Sequence, residues 1–116
     1  MSDLRGRPPA ESPELRRLRD EIDALDRRIV RLLNERAELA AAVGHEKAAL
    51  GRRVIRDAQR EREVLLRVSI ANEGPLPQAD LLALYRRLIA SARALEARER
   101  LREADEGEGP AEPPGA

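Results

Sequence analysis

The chain is 116 residues long, enough for one domain, and has no Cys, Trp or Phe and a single aromatic residue, Tyr85. That composition excludes a disulfide framework and a core built around large rings. Charged residues make up 38% of the chain and balance to a net of zero, which excludes a surface dedicated to nucleic acid or to an anionic membrane.

The first residues, Met1-Ser2-Asp3-Leu4-Arg5, lack the apolar core of a signal peptide, and no apolar run approaches the ~18 residues of a membrane span. The cytoplasm is therefore the expected compartment. Residues 1–12 hold Gly6, Pro8 and Pro9 without periodicity and are expected to form a disordered lead. Ser12, Pro13 and Glu14 then supply a cap, a first-turn proline and an early acid, so a helix is predicted from residue 13 to about residue 50, where Gly51 stops it. At 1.5 Å per residue this helix would be about 54 Å long, whereas a globule of ~100 residues has a radius of gyration near 13 Å. Its own chain cannot cover it, and a second copy is the economical partner. Residues 52–56 form a basic connector with Val54 and Ile55 as its apolar foot. Asp57 opens a second predicted helix running to about Asn72, with Glu61, Val64, Leu65, Val68 and Ala71 on its inner face. Gly74, Pro75 and Pro77 make a turn. A third helix begins near Asp80 and reaches at least Arg98, with Tyr85, Ile89, Ala92 and Glu96 along one stripe. Residues 103–116, rich in Gly, Pro and Glu, are expected to form a disordered tail, leaving residues 13–102 as the folded domain. The fold class is all-α: a three-helix protomer with one long N-terminal helix.

The first helix carries the most informative pattern. Leu15, Leu18, Ile22, Leu25, Ile29, Leu32, Leu39 and Val43 follow three- and four-residue steps along one seam. At position 36, where the seam asks for another aliphatic, stands Arg36. Lys47 follows 11 residues later, about 20° away on the helical wheel. Lys47 is also the lone lysine among 22 Lys plus Arg residues. Ala40, Val43 and Gly44 beside them are small and leave room. Because a buried unpaired charge costs several kcal/mol, such cations call for an anion, read here as a substrate. Asp57, Arg60 and Glu61 on the second helix and Glu96 on the third add polar groups at the edges of apolar faces. Each of these admits an ordinary reading: the cations snorkel to water, Asp57 is an N-cap, and the others are rim residues. Their convergence on three helices favours a pocket for a small dianion bearing hydroxyls. A metal site is not expected, since His45 is the single histidine and reads as a solvated helix residue. No nucleophile stands beside a base and no Gly-rich phosphate loop is present, so no cofactor is expected.

Leu18-Arg19-x-x-Ile22-x-x-Leu25-Asp26, Leu32-Leu33-x-Glu35-Arg36-x-x-Leu39-Ala40, Val43-Gly44-x-x-Lys47 and Arg56-Asp57-x-x-Arg60-Glu61 together closely resemble the all-helical chorismate mutases, from about Leu15 to Arg98. The resemblance implies an intertwined homodimer with two active sites, and the rearrangement of chorismate to prephenate in aromatic amino acid biosynthesis. That reaction is a concerted [3,3] shift without nucleophile, metal or cofactor. It needs a clamped conformer and positive or hydrogen-donating groups at the ether oxygen. By resemblance, Arg36 holds one substrate carboxylate, and Arg19 reaches a carboxylate in the other protomer's site. Lys47 contacts a carboxylate and the ether oxygen, and Arg60 adds positive potential. Glu61, with the backbone near Asp57, holds the ring hydroxyl, and Glu96 faces the ether oxygen.

The chain departs from the family pattern in three ways. Ala92 stands where relatives commonly carry Ser, the connector from Lys47 to Asp57 is one residue longer, and Glu96 occupies a position shared by Gln and Glu, where Glu imposes a protonation requirement. Two other readings remain at this stage. One is an isochorismate-pyruvate lyase of the same fold; the other is a non-catalytic helical dimerisation or regulatory module, which would not need Arg36 and Lys47. Feedback regulation and docking on another shikimate-pathway enzyme are not decided by the sequence.

Overall fold

The computed structural model describes residues 10–51 and 57–108. The expected basic connector at 52–56 lies outside the described residues, as do residues 1–9 of the expected lead (1–12) and residues 109–116 of the expected tail (103–116). All regular structure among the described residues is helical, in the order α1 (Pro13–Ala49), α2 (Ala58–Ala71) and α3 (Gln78–Glu108). The chain is all-α, as its periodicity predicts. Among the described residues no helix is long and apolar enough to cross a membrane.

The helix ends follow local chemistry. At the start of α1, the Ser12 hydroxyl accepts the Leu15 backbone N–H at 3.0 Å, and the Ser12 carbonyl accepts from Arg16 at 3.0 Å. Arg17 binds Glu14 and, at 2.8 Å, Glu21 along the exposed face, and its hydrogen bond holds the Glu14 carboxyl below the ordinary carboxylate range. Gly51 terminates α1 with φ +70°, a left-handed conformation open to glycine at no steric cost. Asp57 caps α2: its carboxylate accepts from the Arg60 N–H at 3.0 Å. The link from α2 to α3 is tied by Asn72, whose amide donates to the Leu76 carbonyl at 3.0 Å and to Gln78 Oε1 at 2.8 Å. Gln78 in turn donates to the Ser69 carbonyl at 3.0 Å, which holds the two helices together at this end.

The third helix differs from the expectation at its far end. It continues to Glu108, past Arg102 where the tail was expected to begin. Glu103, Ala104, Asp105 and Glu106 contain no strong helix breaker, and the first proline beyond them is Pro110.

The chain divides into two compact units, Met1–Glu35 and Arg36–Ala116. The described part of the first is helical from Pro13 on, and within it Leu15, Leu18, Ile22, Leu25, Ile29, Leu32 and Leu33 are all exposed. The second holds the last turns of α1 together with α2 and α3, and its core centres on Ala40, Gly44 and Ile89. Small side chains set the spacing here. A Cβ built on Gly44 would lie 2.6 Å from Glu96 Cα and 2.7 Å from the Glu96 carbonyl oxygen, so α1 and α3 approach backbone to backbone at this point.

Candidate active site

The close approach at Gly44 fixes what lies next to it. Lys47 is three residues further along α1, on the same face as Gly44, and Glu96 is the residue against which Gly44 packs. Lys47 Nζ donates to Glu96 Oε2 at 3.2 Å, and both side chains are nearly withdrawn from solvent, at 12% and 13% exposure.

Around this pair lies a cavity of about 410 Å³. The α1 wall is Arg36, Leu39, Ala40, Val43 and Lys47; α2 and its cap give Asp57, Arg60, Glu61 and Val64; α3 gives Ile89, Ala92, Arg93 and Glu96. Each wall repeats at three- and four-residue steps, as one face of a helix must. Among the described residues, four cations and three carboxylates are thus set among aliphatic side chains, an arrangement suited to a small anion with hydroxyl groups. The Arg36 guanidinium also lies 5.8 Å from the centre of the Tyr85 ring, a cation–π distance that steadies its head without neutralising it. Arg60 lies 3.8 Å from Glu63 on the exposed side of α2. Arg93 Nε lies 3.3 Å from Glu61 Oε1.

Of the seven residues singled out in the sequence, six line this one cavity: Arg36, Lys47, Asp57, Arg60, Glu61 and Glu96. Arg19 belongs to the first unit, where its guanidinium contacts Glu11. Arg93 was missed. The stripe Tyr85, Ile89, Ala92 and Glu96 was followed as an apolar face with one acid, yet Arg93 sits four residues after Ile89 and three before Glu96. The same helical spacing could have found it. The small Gly44 is expected from the sequence to leave room beside the cations. Ala40 and Val43 do line the cavity, but the space at Gly44 is taken by the α3 backbone.

Elsewhere, His45, Glu99 and Glu103 bring ligand-type atoms within 4.8 Å of one another. His45 is exposed, as expected, but it is not simply solvated: its Nδ1 contacts Glu103, while Glu99 is engaged by Arg102. A second cavity of about 400 Å³ is lined by Tyr85 and by residues near the α2–α3 turn; among the described residues no cation lines it.

Residues 18–97 match the family described as chorismate mutase type II. The chain belongs to that family. The chorismate mutase type II match takes in nearly the whole span over which the sequence motifs resemble chorismate mutases, and all six cavity-lining candidates. Among curated proteins, the bifunctional chorismate mutase/prephenate dehydratase of Aquifex aeolicus is 40% identical over 87 residues, 72% of this chain and 24% of that protein. The protein of the same name from Neisseria gonorrhoeae is 40% identical over 78 residues, 67% of this chain and 21% of that protein. The chain therefore spans about a quarter of the length of the curated relatives it matches. Among solved structures, the form II chorismate mutase of Thermus thermophilus superposes with a TM-score of 0.69 at 33% identity, covering 73% of this chain and 96% of that one.

Proposed function

We propose that this chain is a chorismate mutase that converts chorismate to prephenate in the cavity described above. The observation that carries the reading is the gathering of Arg36, Lys47 and Arg60 with Asp57, Glu61 and Glu96 around one cavity in a chain of the chorismate mutase type II family. The reaction is intramolecular: the ether C–O bond breaks as a C–C bond forms, and no proton or electron enters or leaves. What the protein contributes is a conformer and a field. Arg36 holds one of the substrate's carboxylates, and Arg60 adds positive potential at the carboxylate end. Lys47, against the wall shared with Glu96, holds a carboxylate and meets the charge that grows on the ether oxygen. Glu61 and the α2 start at Asp57 take the ring hydroxyl. Protonated Glu96 donates to the ether oxygen. Leu39, Val43, Val64 and Ile89 give apolar walls against which these charges act at reduced dielectric.

In the same reading, the exposed aliphatic row of α1 is covered by a second copy, and Arg19 serves the partner protomer's site. The compartment is the cytoplasm. A natural partner is an enzyme that consumes prephenate, an activity carried in the names of the longer relatives. The test is turnover by the purified chain: chorismate should disappear with stoichiometric formation of prephenate. Release of pyruvate from isochorismate would point to the lyase, and no turnover of either substrate would reject catalysis.

A further inference from the structure

Among the described residues, Arg93 is the one charged residue of the cavity lining to which the mechanism above gives no task. It stands on α3 next to Ala92, which offers no hydrogen-bonding side chain, and faces Glu61 across from α2. Its Nε and Glu61 Oε1 are 3.3 Å apart, and both atoms are closed off from solvent, yet they do not meet in hydrogen-bond alignment. The pair is therefore held by charge and by packing more than by a directed bond. A carboxylate in a cavity for a dianion is electrostatically unfavourable unless a cation stands beside it, and away from solvent that repulsion is poorly screened.

We propose that Arg93 is a positioning residue that acts through Glu61. Its guanidinium offsets the Glu61 charge against the incoming dianion and fixes the carboxylate from the opposite helix, so that Glu61 accepts the hydrogen bond of the ring hydroxyl. The inference rests on the chorismate mutase reading. Arginine suits the task because its long stem crosses between helices while its planar, permanently charged head resists rotation.

The experiment compares the unmodified chain with Arg93→Met, Arg93→Lys, Glu61→Gln and the Arg93→Met/Glu61→Gln pair, with KM, kcat and melting temperature measured for each. Arg93→Met should raise KM by about tenfold with a smaller change in kcat, and Arg93→Lys should recover part of the loss. In the Glu61→Gln background, Arg93→Met should change KM by less than about twofold, the mark of a residue acting through its neighbour. In the Glu61→Gln background, inhibition by a dianion of the same skeleton lacking the ring hydroxyl should be insensitive to Arg93→Met, because no Glu61 charge is left to offset. Equal losses in both backgrounds, for substrate or for the hydroxyl-free dianion, would overturn the proposal and make Arg93 a direct ligand of a substrate carboxylate. Unchanged kinetics in Arg93→Met would overturn it as well. If Arg93→Met does not fold, Arg93→Lys in the two backgrounds carries the same comparison. Absence of turnover by the unmodified chain rejects the underlying reading, and this proposal with it; turnover without the coupling rejects Arg93 alone.

Discussion

Arg36 occupies a step of the α1 seam where packing calls for an aliphatic side chain, and the structure gives it a half-buried place over Tyr85 at the cavity wall. Arg36→Leu loses a cation–π contact of about 0.5–1 kcal/mol and gains apolar burial of similar size, so stability should stay within about 1 kcal/mol. Activity should fall by roughly 10²–10³-fold, the cost typical of removing a charged group that holds a reacting anion. A denaturation midpoint and a kcat/KM for the same sample check both halves; an active Arg36→Leu enzyme would remove Arg36 from the site. Glu96 yields a second prediction. Its carboxylate lies 3.2 Å from Lys47 Nζ, so when ionised it draws on the ammonium that the ether oxygen needs and also repels the growing oxyanion. Glu96→Gln releases Lys47 and supplies a permanent donor of similar shape, so kcat/KM should be retained or rise. A loss of about tenfold or more at an unchanged melting temperature would take Glu96 away from the ether oxygen.

At the scale of elements, the site depends on how closely α3 lies on the end of α1. Gly44→Ala places a methyl group 2.6 Å from Glu96 Cα, a contact that only a backbone shift can relieve. The substitution should cost about 1–3 kcal/mol as overpacking, although alanine is the better helix former. It should also lower activity by more than its stability loss explains, since the shift falls on the Lys47–Glu96 pair; chemical denaturation beside kinetics on the residual folded enzyme would separate the two effects. This contact also marks what the sequence could and could not disclose. The helices were legible because their signals are local: Ser12-Pro13, the Gly51 stop and the Asp57 cap each act within a few residues. Six of the cavity residues were legible because a charge on an apolar seam stands out against its own helix. Arg93 was not, because its significance comes from Glu61 on another helix, and periodicity along one helix carries no information about the facing one. The Gly44 contact was hidden for the same reason, and the end of α3 because Gly-rich composition says little about where a helix of Glu, Ala and Asp will fray.

At the scale of the molecule, the exposed aliphatic row of α1 calls for a cover. Leu15, Leu18, Ile22, Leu25, Ile29 and Leu32 are between 39% and 59% exposed along one seam. Each contributes about 1.5–3 kcal/mol when fully buried. Covering the row can therefore offset an association cost on the order of 4–15 kcal/mol. A second copy of the chain brings the same seam, which makes a self-complementary interface available without a further partner. Sedimentation equilibrium at micromolar concentration should therefore show a dimer, and a folded monomer there would count against it. The sharper test asks whether the dimer shares its sites. Arg19→Ala and Lys47→Ala subunits should each be inactive alone. If Arg19 serves the partner, a heterodimer of the two holds one site with both groups intact and one with neither. Random exchange makes half of the dimers mixed, so the mixture should recover roughly a quarter of the unmodified rate by the symmetry of an isologous pair. If Arg19 acts within its own protomer, every site in the mixture lacks one group and no activity returns. The rate measured after exchange is confirmed by mass thus decides between sharing and separate sites.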